Sequence, residues 1–385
     1  MAETRYTDTT IPRLTKWCRR NMQRHDIGQH PQPFLVLGSP GIGKSDFCEE
    51  IFPSIVAEHW GVRREEVGYF EFNCNGKDEV EATGPALPYK NPQTGEVEFR
   101  YGKSPIVTAA EEVMKEGGFK YMIVNLDEFA QGTQGLMKTL RGSLNPKTHK
   151  VGATCWPRNV YIMGTGNLAS DKAGSSGLLK HIPSVCKVVN LKFSMPALKK
   201  YWVEHKLNPL AIECAEAFHE EGFFVDGVPA YDGAYCCPRS LVNSSYDLDV
   251  IMSEPDFDGT LLADDRDYLS TTIGEQAAST LMMWVNRHDH LPSASEILSQ
   301  PRSALVPDQM GYQSIAAHIA LNACDSEAAA NAAIIYITRL RPDLQVPLLT
   351  KLIRECNSMG WSFTTDEAIN FLEKYADLLP LTWNN

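Results

Sequence analysis

The sequence predicts an α/β fold with a parallel-sheet core in its first half and a mostly helical second half. Apolar strand patterns alternate with helical patterns over roughly the first 200 residues, which is typical of a parallel sheet built from strand–helix units. From Pro196 onward the strand signal fades and helical patterns follow one another. We therefore expect an α/β core over 1–195, a small helical domain over 196–255 and a further helical region over 256–385.

The first elements have clear local causes. Thr10 is suited to cap a helix and Pro12 to occupy its first turn, so we expect a helix over 11–25. The apolar run at 34–37 predicts a short buried strand, because it ends in a glycine-rich turn. A helix over 43–52 should follow that turn.

The rest of the core continues the alternation. The pattern VGYFEFN at 67–73 predicts a strand, and NPQTG at 91–95 predicts the turn of a hairpin. A helix is expected over 108–116. The apolar runs at 121–126 and 159–167 predict two more buried strands.

Composition excludes several classes of protein. With 43% hydrophobic and 22% charged residues the chain is not disordered, and no apolar run approaches the ~20 residues of a membrane span. The N-terminus lacks the pattern of a secretory signal and the ten cysteines form no CxxC pair, so we expect a cytoplasmic protein without a membrane partner. Net charge is −12, but residues 1–200 carry +5 and residues 201–385 carry −17, which indicates different surface roles.

One motif carries most of the chemistry. It matches GxxxxGK[ST] directly after a predicted strand and before a predicted helix, and consists of Gly38, Ser39, Pro40, Gly41, Ile42, Gly43, Lys44 and Ser45. The glycines let backbone N–H groups converge on phosphates, and the start of the helix adds partial positive charge. Lys44 is suited to bind the β- and γ-phosphates and the Ser45 hydroxyl to bind Mg²⁺.

Two carboxylates follow the apolar strand at 121–126. Asp127 is suited to lie beside the metal, and Glu128 to orient or deprotonate an attacking water. Inside the same strand Asn125 is unusual, and a buried amide there must find a partner on a neighbouring strand or loop.

Two further polar residues complete the candidate site. Asn167 follows the next predicted strand, where an amide can hold the water or the γ-phosphate. Arg239, just after Pro238, begins a helix in the helical part and supplies a permanently charged, forked donor for phosphates.

The order of these motifs resembles that of AAA+ ATPases and is most similar to the MoxR-like branch with its bacterial and phage members. The stretch 76–105 resembles the hairpin insertion of that branch. The resemblance covers roughly 30–250 and implies a P-loop NTPase αβα core with a helical lid at 196–255. Beyond it, we expect 256–385 to be an added helical region that packs on the lid or contacts a partner. It also implies that 38–45 form Walker A.

The same resemblance gives roles to the other motif residues. It implies that Asp127 and Glu128 form Walker B and that Asn167 and Arg239 are the two sensors. It further implies a homohexameric ring that binds ATP and Mg²⁺ between its subunits.

The sequence departs from the family at one point. Family members supply a trans-acting arginine before the last core strand, yet 168–191 contains no arginine and only three lysines, Lys172, Lys180 and Lys187. A lysine cannot reproduce bidentate contact with a phosphate. We expect Lys187 or Lys180 to substitute, with Arg158 as another candidate.

The leading functional hypothesis is an ATP-hydrolysing ring that remodels a protein client, which the resemblance associates with a von Willebrand A-domain partner. A nucleic-acid motor or loader is an alternative, because basic residues recur over 13–24 and the predicted hairpin insertion contains Lys90 and Lys103. GTP use of the McrB-like kind is a third hypothesis, based on the segment GTGNLASD. A ring that binds nucleotide but hydrolyses little is a fourth.

Overall fold

The structure is a computed structural model that describes residues 6–168, 178–225, 227–229, 232–286, 291–308 and 310–376. The chain forms two compact units. The first comprises Met1–Lys200, Val225–Asp232 and Cys237–Arg239, and the second comprises Tyr201–Phe224, Gly233–Cys236 and Ser240–Asn385.

The first unit is built on a six-stranded parallel sheet. The strands are β1 (Thr7–Thr9), β2 (Phe34–Leu37), β3 (Val67–Asn73), β6 (Tyr121–Asp127), β9 (Val160–Gly166) and β10 (Lys187–Leu191). Their order is β1-β10-β2-β9-β6-β3, and every neighbouring pair runs parallel. This confirms the predicted α/β class. The four predicted core strands are all present, whereas β1 had no recognised signal because it is only three residues long.

Helices cover both faces of this sheet. They are α1 (Ile11–Met22), α2 (Lys44–Asp46), α3 (Phe52–Trp60), α4 (Glu79–Thr83), α5 (Pro105–Glu116) and α6 (Gln134–Leu144). Between α2 and α3 the residues Phe47–Ile51 are π-helical, so one continuous helix runs from Lys44 to Trp60. The prediction ended this helix at residue 52. It was too short because the helix continues through Pro53 and does not end before it.

Two small hairpins project from the core elements. β4 (Ala86–Lys90) pairs antiparallel with β5 (Val97–Tyr101) between α4 and α5, within the predicted insertion. β7 (Lys150–Val151) pairs with β8 (Thr154–Cys155) between α6 and β9, and no sequence signal predicted this second hairpin.

The later part of the chain is helical, as predicted. Its helices are α7 (Met195–Glu204), α8 (Pro209–Phe218), α9 (Pro238–Met252), α10 (Ala263–Ile273), α11 (Glu275–Val285), α12 (Ala294–Ser299), α13 (Met310–Asn322), α14 (Glu327–Ile337), α15 (Pro342–Met359) and α16 (Asp366–Lys374). A core that includes Ile334, Tyr336 and Leu349 holds α12 to α16 together. In the residues that the structure describes, no helix combines the length and the apolar character needed to cross a membrane.

Candidate nucleotide site

The glycine-rich loop joins β2 to the long helix that begins at Lys44. Gly41 has φ of +74° and Gly43 has φ of +88°, conformations that favour glycine. At Gly41 there is also no room for a side chain, since a Cβ would lie 2.7 Å from the Cys237 sulfur and 3.2 Å from the Arg239 Cβ. The loop therefore needs both glycines for its shape.

Lys44 links the loop to the neighbouring strand. Its ammonium donates hydrogen bonds to the carbonyl oxygens of Gly38 and Ser39, both at 2.8 Å, and to the Asn167 Oδ1 at 3.1 Å. Asn167 follows β9, which pairs with β2, so adjacent strand ends bring the two side chains together. The lysine is only 9% exposed. These three oxygens use all three donors of the ammonium, so Lys44 must exchange at least one of these bonds to contact an anionic ligand in the loop.

The two carboxylates lie at the end of β6. β9 separates β6 from β2, and all three strands end at the same edge of the sheet. The Asp127 carboxylate accepts a hydrogen bond from the Thr165 hydroxyl of β9. Glu128 has a left-handed backbone, with φ of 49°. Such a conformation is costly for a residue other than glycine and is often found at functional sites.

A buried polar network extends from Asp127 across three strands. The Asn125 amide donates to the Tyr69 hydroxyl at 3.3 Å, and Tyr69 donates to the Glu71 carboxylate at 2.9 Å. Thr165 lies 3.3 Å from the Asn125 Oδ1 as well as beside Asp127. Asn125 thus has the neighbouring-strand partner that its burial required.

Burial also perturbs the acid–base chemistry of this network. It raises the pKa of the Tyr69 phenol, and it raises the pKa of the Glu71 carboxyl, which the nearby Asp127 charge raises further. Tyr69, Glu71 and Thr165 were not among the predicted site residues. The sequence did contain a signal for them, because each of three adjacent strands has two polar residues at positions i and i+2. Residues two positions apart on a strand point to the same face of the sheet.

The structure places Arg239 beside the glycine-rich loop. Its backbone N–H donates to the Gly41 carbonyl at 3.2 Å, and its side chain is exposed. Lys180 is exposed in the turn before β10. Lys187 begins β10 opposite Phe34, so it lies at the amino edge of the sheet, away from the loop of its own chain. Lys172 lies outside the described residues.

The residues at the carboxyl edge fit a nucleoside triphosphate with Mg²⁺. The loop and the helix start supply backbone N–H groups, Lys44 supplies a cation, and the Ser45 hydroxyl and the Asp127 carboxylate are oxygen ligands of the kind Mg²⁺ prefers. In the described part of the chain, no cluster of three or more histidine, cysteine or acidic side chains could hold a different metal ion.

Comparisons with known proteins give matches only among solved structures, since no protein-family model and no curated protein matches the sequence. A point mutant of RuvB from Thermotoga maritima is 10% identical, with 95% of this chain and 90% of that chain covered and a TM-score of 0.34. NtrX from Brucella abortus is 15% identical over 65% and 53% of the two chains, with a TM-score of 0.34. A closed-state reconstruction of Hsp104 with ATPγS and FITC-casein is 12% identical over 71% and 43%, with a TM-score of 0.36.

The class of the protein follows from the geometry of the chain itself. A parallel sheet places the glycine-rich loop after β2 and the acidic pair after β6, with β9 between them. Helices flank this sheet, and a helical region follows it. The chain therefore has an α/β fold of the P-loop NTPase-like type.

Proposed function

We propose that this protein is a Mg²⁺-dependent AAA+ ATPase of the MoxR-like type that works as a ring. One observation carries the proposal: Lys44 contacts Asn167, and Asp127 lies at the same edge of the sheet, at the end of the strand that pairs with β9. This arrangement provides a phosphate cradle, a metal ligand and a polar group near the position of the γ-phosphate.

Each residue has a role in the proposed reaction. Residues 38–45 hold the phosphates, and Ser45 and Asp127 hold Mg²⁺, which supplies charge stabilisation when bound. Glu128 orients the attacking water and accepts its proton. Asn167 positions the same water or the γ-phosphate, and Arg239 reports the phosphate state from its place beside Gly41.

A protein client is the substrate that the exposed hairpin favours. Val97, Phe99 and Tyr101 project from the same face of β5 and are 63%, 71% and 64% exposed. Across the strand pair, Pro88 lies opposite Phe99 and adds apolar surface. Such a face suits apolar segments of a polypeptide better than it suits a polyanion. We include a homohexameric ring, a von Willebrand A-domain partner and a cytoplasmic location in the proposal.

The proposed activity is tested by ATP turnover at increasing protein concentration, with particle mass measured in the presence of ATP. Wild type should turn over ATP more rapidly per subunit as the ring assembles. Glu128→Gln should bind ATP and assemble but lose turnover, because the amide cannot accept a proton. Glu116→Gln, an exposed change at the end of α5, is the matched control. Turnover that is equal in Glu128→Gln and wild type would refute the proposed role of Glu128.

A nucleic-acid motor is the second candidate, favoured by the surface of α1. This helix exposes Arg13, Lys16 and Arg20, while its buried side packs into the sheet. The test is binding of single-stranded DNA over a range of salt concentrations, since phosphate contacts give a steep dependence. Competition between ATP and GTP for the loop tests the GTP alternative in the same preparation.

A further inference from the structure

A cluster of cations lies at the amino edge of the sheet, away from the glycine-rich loop. Arg20 is in the last turn of α1, Arg24 is in the 3-10 turn that follows it, and Lys187 is the first residue of β10. Because Lys187 pairs with Phe34 at the start of β2, while the loop follows the end of β2, the two sites are at opposite edges.

Rigid elements fix this cluster. The Asn21 amide donates to the Gln32 carbonyl at 2.8 Å, which ties the end of α1 to the entrance of β2. Gln32 in turn donates to the Val185 carbonyl at 3.2 Å, two residues before Lys187. These hydrogen bonds bring the end of α1, the start of β2 and the start of β10 together, so the backbone positions of the three cations are set by regular elements and the turn that follows α1.

Within the described part of the chain, no carboxylate forms an ion pair with these cations. Among the described residues, Arg19 pairs with Glu58 at 2.9 Å, whereas no ion pair includes Arg20, Arg24 or Lys187. The Lys187 ammonium instead lies 5.3 Å from the centre of the Phe34 ring. Burial lowers the pKa of Lys187, and the nearby charges of Arg24 and Arg20 lower it further. Like charges held together without a counter-ion destabilise the folded chain.

Arg24 adds a second, independent observation. Its Nε atom is buried and has no hydrogen-bond partner. Nearly all buried donors in folded proteins have an acceptor, so this guanidinium nitrogen is able to donate to an oxygen of a bound group. The partial negative charge at the end of α1 favours a cation such as Arg20. It does not account for Lys187, which comes from a strand, or for the unsatisfied Nε of Arg24.

We propose that Arg24 and Lys187, with Arg20 beside them, form a binding site for a phosphate group that is separate from the glycine-rich loop. A phosphate offers several acceptor oxygens to a guanidinium and an ammonium at once, and its charge offsets the mutual repulsion of the three cations. The same chemistry is present in a free phosphate compound and in the backbone of a nucleic acid. The site does not depend on the proposed ATPase activity.

The experiment measures binding of inorganic phosphate by calorimetry at constant ionic strength, in a Lys44→Ala background that weakens the other phosphate site. We expect binding to persist in that background. Arg24→Gln and Lys187→Gln should each weaken it by about tenfold or more, because each removes a charge-assisted contact. Arg19→Gln, whose side chain pairs with Glu58 outside the cluster, should bind as the background does.

Two further measurements complete the test. Arg24→Lys keeps the charge but loses the Nε donor, and it should recover only part of the affinity. Amide hydrogen exchange checks that each variant remains folded. Absence of phosphate binding in the Lys44→Ala background, or binding unchanged by Arg24→Gln in a folded protein, would overturn the proposal.

The source of the phosphate is distinguished by competition. A single-stranded 12-mer that displaces inorganic phosphate, with a steep salt dependence and a loss of affinity in Arg24→Gln, would assign the site to a nucleic-acid backbone. Displacement by pyrophosphate but not by the 12-mer would assign it to a free phosphate compound. Either result supports the site itself.

Discussion

Replacing Thr165 by valine tests the buried network that reaches Asp127. Thr165 is completely buried, and its hydroxyl donates to the Asp127 carboxylate. Valine has nearly the same shape but no donor. A hydrogen bond to a charged group contributes about 1.5–3 kcal/mol, so Thr165→Val should destabilise the first unit by about 2 kcal/mol. Thr165→Ser keeps the donor and loses one buried methyl group, which costs about 1 kcal/mol.

The assay is amide hydrogen exchange in β6 and β9, which reports on the first unit alone. Thr9→Val is the control, because Thr9 is also buried but its hydroxyl lies 3.4 Å from a neutral carbonyl, that of Thr10. If the chain is the proposed ATPase, Thr165→Val should also raise the half-saturating Mg²⁺ concentration by about tenfold, since a support of a metal ligand is lost. Serine should restore most of this shift. Equal destabilisation at positions 165 and 9, with unchanged Mg²⁺ dependence, would refute the positioning role.

Three other predictions concern backbone and burial. Burial, with the nearby His30 charge, lowers the pKa of His149 to about 4, against about 6.5 in the unfolded chain, so stability should fall by about 2–3 kcal/mol between pH 7 and pH 4.5. His149→Asn suits the positive φ of 44° and should flatten that fall in urea unfolding; an equally steep fall would exclude the histidine as its cause. Gly41→Ala should lower the free energy of unfolding by about 1–3 kcal/mol more than Gly43→Ala, because at Gly43 the nearest atom to an added Cβ is 3.5 Å away. In a Cys237→Ala background, most of this difference should disappear. The urea midpoint of Glu128→Gly should be no lower than that of Glu128→Gln, because glycine adopts the left-handed backbone conformation without the cost of about 1 kcal/mol that other residues have. A clearly lower midpoint for Glu128→Gly would show that this backbone is not strained.

Local sequence patterns predicted those elements whose cause is local. The apolar run at 34–37 and the alternation at 67–73 give the observed bounds of β2 and β3, because burial on one or both faces imposes those patterns. The helix at Lys44 was predicted to start at the right place, since the glycine-rich turn sets its N-terminus. Its length was not predicted, because packing of Ile55 and Val56 in the core carries it past Pro53.

The order of the strands in the sheet determines which residues come into contact, and the sequence patterns did not predict that order. Lys44 and Asn167 are 123 positions apart, and their contact exists because β9 inserts between β2 and β6. The motif residues could still be identified, because each lies at the end of a strand and parallel strands end at one edge. No motif marks Arg24 and Lys187, since they come to the same edge of the sheet only because β10 pairs with β2 and α1 ends at the entrance of β2. The spacing of charges along the chain therefore identifies a basic helix. Which of its cations lack an ion-pair partner among the described residues can be seen only in the folded structure.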